Sequence, residues 1–188
     1  RLQPDGTVPS GGSFWSVNGT SRRGTARPNA NGSLDSSFNS GPGVNGTVYS
    51  VVLQPNGKAL VGGFFPSVNG TNRNNIARLN VNGSLDSSFN PGAGANGTVY
   101  SVALQPDGKV HIGGAFTSVN GTNRTNIARL NANGSLDSGF NPGTGPNAKV
   151  SSIALQPDGK VLIGGDFTSV NGVVRVQVAR LYGDFIPS

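Results

Sequence analysis

The chain repeats itself every 51 residues. The tripeptide Leu-Gln-Pro begins at Leu2, Leu53, Leu104 and Leu155, so the spacing is 51 each time, without insertion or deletion. Residues 53–103 and 104–154 are identical at 36 of 51 positions. A repeat of this length is one supersecondary unit that cannot bury its apolar side alone. Successive units are therefore expected to pack against each other.

Within a unit, short apolar segments alternate with turn sequences. In the third unit the pattern predicts four strands, at 99–104, 109–116, 126–131 and 136–141. Gln-Pro-Asp-Gly at 105–108 and Asn-Gly at 133–134 supply the residues that tight turns require. No window combines a helical period with capping residues, so we expect almost no helix.

Four short strands per unit are typical of a β-propeller blade. The sequence thus predicts an all-β fold, a propeller of about four blades, with an open β-repeat array or solenoid as the alternative. The repeat divides a single domain, 1–188, into a partial blade 1 at 1–46, blade 2 at 47–97, blade 3 at 98–148 and a partial blade 4 at 149–188.

The two end units are expected to be incomplete. Counting predicted strands gives three, four, four and three, two fewer than four full blades need. This leaves three possibilities open: a ring with an imperfect closing blade, a fragment of a longer array, or a subunit whose free edges join neighbours end to end. Unpaired strand edges favour self-association, and head-to-tail contacts that do not close produce filaments.

Composition excludes several kinds of chemistry. The chain has no Cys and one His, which removes disulfides, Cys-based metal sites and multi-His sites. We therefore expect no metal and no cofactor. The net charge is +6, but the basic residues are spread over the repeats, so nucleic acid is not an expected partner. No apolar run approaches the roughly 20 residues that cross a bilayer, and membrane insertion is not expected.

One arginine recurs in the loop after each Val-Asn-Gly. These arginines could bind an anionic glycan or another polyanion through charge-assisted hydrogen bonds. The alternative is that each arginine is solvated or braces its own loop. The four positions are Arg22, Arg73, Arg124 and Arg175.

A second arginine recurs in the third predicted strand, eight residues before an aspartate across a tight turn. This spacing predicts a structural ion pair in each blade rather than a binding site. The pairs are Arg27 with Asp35, Arg78 with Asp86 and Arg129 with Asp137.

Catalysis is not expected, because near-identical repeats do not supply an asymmetric group of reactive side chains. All eight acidic residues are Asp, so paired Glu carboxylates are absent. An enzyme acting on carbohydrate would need a unique cluster near one end, formed by Asp166, Tyr182 and Asp184. His111 replaces the Leu60 of the preceding unit and is expected to be a structural side chain.

Two segments carry a resemblance to a known family. Residues 119–137, VNGTNRTNIARLNANGSLD, and 153–167, IALQPDGKVLIGGDF, closely resemble the delta-60 repeat of large bacterial surface and secreted proteins. The order of a strand ending in Gly-Gly, a polar loop and a further strand is also similar to a kelch blade. The resemblance implies kelch-like blades, an extracellular or cell-surface location in bacteria and no catalytic residues. The expected function is a non-catalytic structural or binding module. A self-assembling filament or sheath subunit is the first alternative, and a carbohydrate-binding or carbohydrate-active propeller the second.

Overall fold

A computed structural model describes residues 7–183 of the chain. These residues form strands and loops, without a helix. The strands in chain order are β1 (Ser10–Gly11), β2 (Ser16–Val17), β3 (Thr20–Ser21), β4 (Thr25–Ala26), β5 (Thr47–Leu53), β6 (Ala59–Phe64), β7 (Ser67–Val68), β8 (Thr71–Asn72), β9 (Ile76–Leu79), β10 (Thr98–Leu104), β11 (Val110–Ala115), β12 (Ser118–Val119), β13 (Thr122–Asn123), β14 (Ile127–Leu130), β15 (Val150–Leu155), β16 (Val161–Gly165), β17 (Ser169–Val170), β18 (Val173–Val174) and β19 (Val178–Leu181).

Each of the last three units contains one antiparallel sheet of three strands. The sheets have the orders β5-β6-β9, β10-β11-β14 and β15-β16-β19. In the third unit, Leu104 lies opposite Val110, and Val110 lies opposite Leu130. A bulge between Val99 and Ser101 shifts the register of the first strand, and the other two sheets carry the same shift. The predicted all-β repeat fold of the propeller type is confirmed.

The predicted fourth strand of each unit does not form. In the third unit only Leu136 keeps a bridge, to Leu130, and the chain then turns. The cause is Asp137, whose Oδ1 accepts the backbone N–H of Gly139 at 2.9 Å. This side-chain bond offers the backbone an alternative to a ladder and closes a turn.

A small hairpin that the strand pattern did not predict follows the second strand of each sheet. In the third unit it pairs β12 with β13. Asn120 and Gly121 connect the two strands with φ of +49° and +75°. Positive φ at both central residues defines the tight turn that suits two-residue hairpins, and Asn-Gly is its preferred sequence.

The two end units differ from each other. In the first unit, within residues 7–46, the sheet is reduced to β1 paired with β4. The last unit has the same three strands as the interior units. The three strands predicted for the last unit are therefore present, and within the described residues none of the units forms a fourth sheet strand.

Adjacent units pack sheet against sheet, and glycine makes the close approach possible. A Cβ added at Gly62 would lie 2.7 Å from Val102, and one at Gly113 would lie 2.7 Å from Val150. Both valines belong to the first strand of the following unit. The core therefore lies largely between units: Leu60 and Ile76 of the second unit cluster with Val99 and Val102 of the third.

The outer side of the last unit is open. Ile76 and Ile127 are fully buried between units, but Val178 at the equivalent position is 64% exposed. A Cβ added at Gly164 would have no neighbour closer than 3.8 Å. The surface that interior units cover with a following unit is thus uncovered in residues 7–183. No helix in this range is long and apolar enough to cross a membrane.

Candidate functional site

The recurring arginine of the third sheet strand joins two units. In the second unit Arg78 Nε lies 2.7 Å from Asp86 Oδ2, and Nη2 donates to the Ser88 hydroxyl at 3.1 Å. Nη1 donates to the backbone carbonyl of Ala132, which lies 54 residues further on in the next unit, at 2.8 Å. The guanidinium also covers the Phe89 ring, with Cζ 4.9 Å from its centroid. The Arg78 side chain thus bonds to the turn of its own unit and to the backbone of the following unit.

The same arrangement occurs at the other two junctions. Arg27 and Arg129 each pair with their aspartates through Nε and Oδ2 at 2.7 Å. Their Nη1 atoms donate 54 residues ahead, to the carbonyls of Val81 and Gly183. All three guanidinium groups are buried. These residues serve the stacking of units and are not available to a ligand.

The lysine just before the second sheet strand reinforces two of these pairs. Lys58 Nζ lies 2.8 Å from Asp86 Oδ2, and Lys109 Nζ lies 3.1 Å from Asp137 Oδ2. Burial alone would raise the pKa of Asp86, but bonds from Lys58, Ser88 and Arg78 outweigh it and hold this pKa well below the ordinary value. The pKa of Asp137 is lowered in the same way, against the effect of burial, with Gly139 N–H and Lys109 as donors. The carboxylates are therefore charged acceptors of the junctions.

The loop arginines lie at the same place in successive units and make the same bond. Each donates from Nη1 to the carbonyl of the residue before it. The donor–acceptor distances are 2.9 Å for Arg22, 2.9 Å for Arg73, 2.8 Å for Arg124 and 2.7 Å for Arg175. Three of the side chains are half-buried, and that of Arg175 is exposed. Each arginine braces its loop with one Nη, and within residues 7–183 its other Nη has no hydrogen-bond partner.

Asp166 and Tyr182, two of the three side chains considered for an enzyme, make no hydrogen bond with each other. Asp166 is exposed and lies 3.1 Å from Lys149, and Tyr182 is also exposed. Asp184 lies outside the described residues. His111 is fully buried with its ring edge-on to Phe140, the centroids 5.0 Å apart. Among residues 7–183, no three His, Cys, Asp or Glu side chains lie close enough to hold a metal.

A pocket at the first junction escaped the sequence reasoning. Its volume is about 240 Å³, and it is lined by residues 13–15, 23 and 44–46 of the first unit and by Thr47, at the start of the second. Its wall carries Trp15, the single Trp of the chain, and Arg23, whose Cζ lies 4.1 Å from the centroid of the Trp15 ring. The signal was present in the alignment of the repeats: the other units have Pro66, Thr117 and Thr168 in place of Trp15. A residue that occurs in one unit only does not contribute to the repeat pattern.

Stacked sheets, inter-unit arginine contacts and recurring loops define a tandem-repeat protein of the β-propeller class. The chain belongs to the family described as "Domain of unknown function (DUF5122) beta-propeller", whose model matches residues 1–38, 54–89, 105–140 and 156–184. No curated protein and no solved structure gives a significant match. The family establishes the repeat class and leaves the activity open.

Proposed function

We propose that the chain is a non-catalytic structural and binding module, secreted by a bacterium or displayed on its surface. The observation that carries the proposal concerns the junction arginines, Arg27, Arg78 and Arg129. Each of them binds the aspartate of its own unit and donates to a backbone carbonyl of the next unit. The most regular charged groups of the repeat therefore hold the blades in a fixed register. The resemblance to delta-60 repeats of surface and secreted proteins supports the extracellular setting.

The binding role is assigned to the loop arginines, Arg22, Arg73, Arg124 and Arg175. Because successive units stack in the same way, their equivalent loops lie on one side of the stack. Each guanidinium is held by one bond to its own loop and keeps further N–H groups for a ligand. A row of such groups suits an acidic polysaccharide, whose carboxylates accept charge-assisted hydrogen bonds.

The test compares two double variants that remove the same charge. Arg124→Gln/Arg175→Gln is expected to weaken binding to immobilised polygalacturonate strongly, whereas Lys149→Gln/Arg180→Gln keeps most of it. Equal losses in the two variants would reduce the interaction to net charge and overturn the arginine-loop site. Incubation of the protein with soluble polygalacturonate is expected to release no new reducing ends. Their release would contradict the non-catalytic part of the proposal.

End-to-end association is the second candidate, favoured by the open side of the last unit. Val174, Val176 and Val178 are 72%, 62% and 64% exposed. The third unit has Asn123 and Thr125 where the last has Val174 and Val176. The last unit is thus more apolar than the repeat requires, and contact with a second copy would cover this surface.

Sedimentation velocity over a range of concentrations tests this association. The native chain is expected to form larger species as concentration rises. Val174→Asn/Val176→Thr, which restores the residues of the third unit, is expected to remain monomeric. The control is Val81→Ala, an exposed valine elsewhere that is Ala in the neighbouring units. A native chain that stays monomeric throughout would contradict this candidate.

A further inference from the structure

Backbone hydrogen bonds join the three segments that line the pocket at the first junction. Trp15 O accepts the N–H of Arg22 at 2.9 Å, and Phe14 O accepts that of Gly24 at 3.0 Å. Arg23 O accepts the N–H of Val44, in the segment that leads into the second unit, at 3.0 Å. The segments that carry the pocket side chains are therefore fixed relative to each other before any ligand arrives.

Several polar groups of this pocket have no partner among residues 7–183. The Arg23 guanidinium, the Asn45 amide, the Ser13 hydroxyl and the Trp15 Nε1–H make no hydrogen bond or ion pair in this range. The Cζ of Arg23 lies 4.1 Å from the centroid of the Trp15 ring. The Arg23 N–H groups, which lie in the guanidinium plane, stay free for an acceptor.

The equivalent polar groups at the later junctions are satisfied internally. Asn96, the counterpart of Asn45, accepts the N–H of Thr117 at 2.9 Å and donates to its hydroxyl at 2.8 Å. Asn147 makes the same two bonds to Thr168. In the second unit Pro66 stands at this position and provides neither N–H nor hydroxyl. One substitution thus releases Asn45.

Two further differences between the units supply the aromatic surface and the positive charge of the pocket. Trp15 replaces the Thr117 of the third unit, and Arg23 replaces the Asn74 of the second. Asn74 donates its amide to Ala93 O at 2.8 Å, so that side chain is occupied. At the first junction an aromatic ring and a cation stand instead, and Trp15 is 68% exposed.

We propose that this pocket binds one acidic sugar residue of a saccharide chain. The Trp15 ring suits the C–H face of a pyranose, which is apolar. The Arg23 guanidinium suits a sugar carboxylate, which can accept two parallel hydrogen bonds. Asn45 and Ser13 provide donors and acceptors for ring hydroxyls, in the pattern of an apolar pocket with a few convergent polar groups. None of the loop arginines lines this pocket, although Arg22 precedes Arg23 in the chain.

The fluorescence of Trp15 reports binding directly, because the chain contains one Trp. Titration with trigalacturonate, sialyllactose and a hyaluronan tetrasaccharide is expected to give a saturable change with at least one of them. Neutral maltotriose is expected to give a much weaker response. An unchanged signal with all three acidic probes, or an equal response to maltotriose, would overturn the proposal.

Two single substitutions separate recognition from folding. Arg23→Thr, the residue of the third unit, is expected to weaken binding of the responding probe about tenfold or more, since a bond to a charged acceptor is lost. Asn45→Ala is expected to weaken it less, with Trp15 retained as the reporter. Unchanged affinity in Arg23→Thr, at an unchanged melting temperature, would exclude the pocket.

A third variant distinguishes this site from the loop arginines. Arg124→Gln/Arg175→Gln is expected to leave the Trp15 titration unchanged, even if its binding to polygalacturonate is lost. Loss of the Trp15 response in this variant would place the fluorescence change at the loops and overturn the pocket assignment. The two proposals can therefore fail independently.

Discussion

At the scale of single residues, the junction arginines show how much of a site the sequence can predict. The eight-residue spacing across a hairpin turn predicts the pair of Arg78 and Asp86, whose charged atoms lie 2.7 Å apart. The third partner, Ala132 O, could not be predicted, because sheet packing between units sets a contact 54 residues away. Trp15 and Arg23 could not be predicted for a different reason: each occurs in one unit only, so the repeat pattern does not indicate them.

Replacing a junction arginine is expected to destabilise the stack. Arg78→Ala removes three donors and leaves the buried Asp86 with fewer partners, so we expect the unfolding free energy to fall by about 3 kcal/mol. Arg180→Ala, at the equivalent but exposed position, is expected to change it by less than about 0.5 kcal/mol. Urea unfolding followed by circular dichroism measures both. Equal effects would show that the bonds of Arg78 to its own turn and to the next unit contribute nothing.

The junction carboxylates give the stability a defined pH dependence. The pKa of Asp86 is lower in the folded chain than its ordinary value of 3.8. The contribution of Asp86 to the free energy of unfolding is therefore complete above pH 3.8. It is lost as the pH falls from 3.8 toward the pKa of Asp86 in the folded chain. Unfolding measured between about pH 2 and pH 6 is expected to show a steeper acid loss for the native chain than for Asp86→Asn. Asp107→Asn, an exposed control, should retain the native steepness.

At the scale of elements, the local sequence pattern predicts the three sheet strands of a unit but not the turn and the small hairpin. The first three predicted strands of the third unit correspond to β10, β11 and β14. The fourth fails because Asp137 Oδ1 captures the N–H of Gly139, a bond that an alternating apolar pattern does not reveal. The β12–β13 hairpin carried an Asn-Gly signal at 120–121, but its strands have two residues each and show no periodicity.

Glycines at equivalent positions are expected to respond differently to the same substitution. Gly113→Ala places a Cβ 2.7 Å from Val150, so the two sheets must separate, at a cost of about 1–3 kcal/mol. Gly164→Ala meets nothing within 3.8 Å and is expected to be neutral to within about 0.5 kcal/mol. Thermal unfolding of the two variants makes the comparison. A large loss in Gly164→Ala would mean that glycine serves the strand itself rather than the junction.

At the scale of the whole molecule, cohesion is distributed between neighbours along the stack. Ser50 Oγ accepts the backbone N–H of Val102 at 3.1 Å, and Ser101 Oγ accepts that of Ile153 at the same distance. Ser152, next in this series, is exposed, as is Val178 on the same unit. An interior unit therefore has support on two sides, whereas the last unit has support on one within the described residues.

This difference predicts a gradient of local stability. Amide hydrogen exchange in β16 and β19 is expected to be faster than in β6, β9, β11 and β14, because opening the last unit breaks one junction instead of two. Mass spectrometry of peptides from the four units measures it, and the near-identical second and third units serve as internal references. Uniform protection across the last three units would show that the stack unfolds as one cooperative block.

The contact that reaches 54 residues ahead also bears on how such a chain can change over generations. The second and third units carry both halves of a junction: an arginine that donates to the next unit and a turn carbonyl that accepts from the arginine of the preceding unit. Duplicating or deleting a whole unit in the gene joins one such half to another and leaves every remaining junction intact. A shift of a few residues within a unit would instead break the contacts on both sides. A change in the number of units thus preserves the junctions of this architecture, whereas a change in the length of a unit disrupts them.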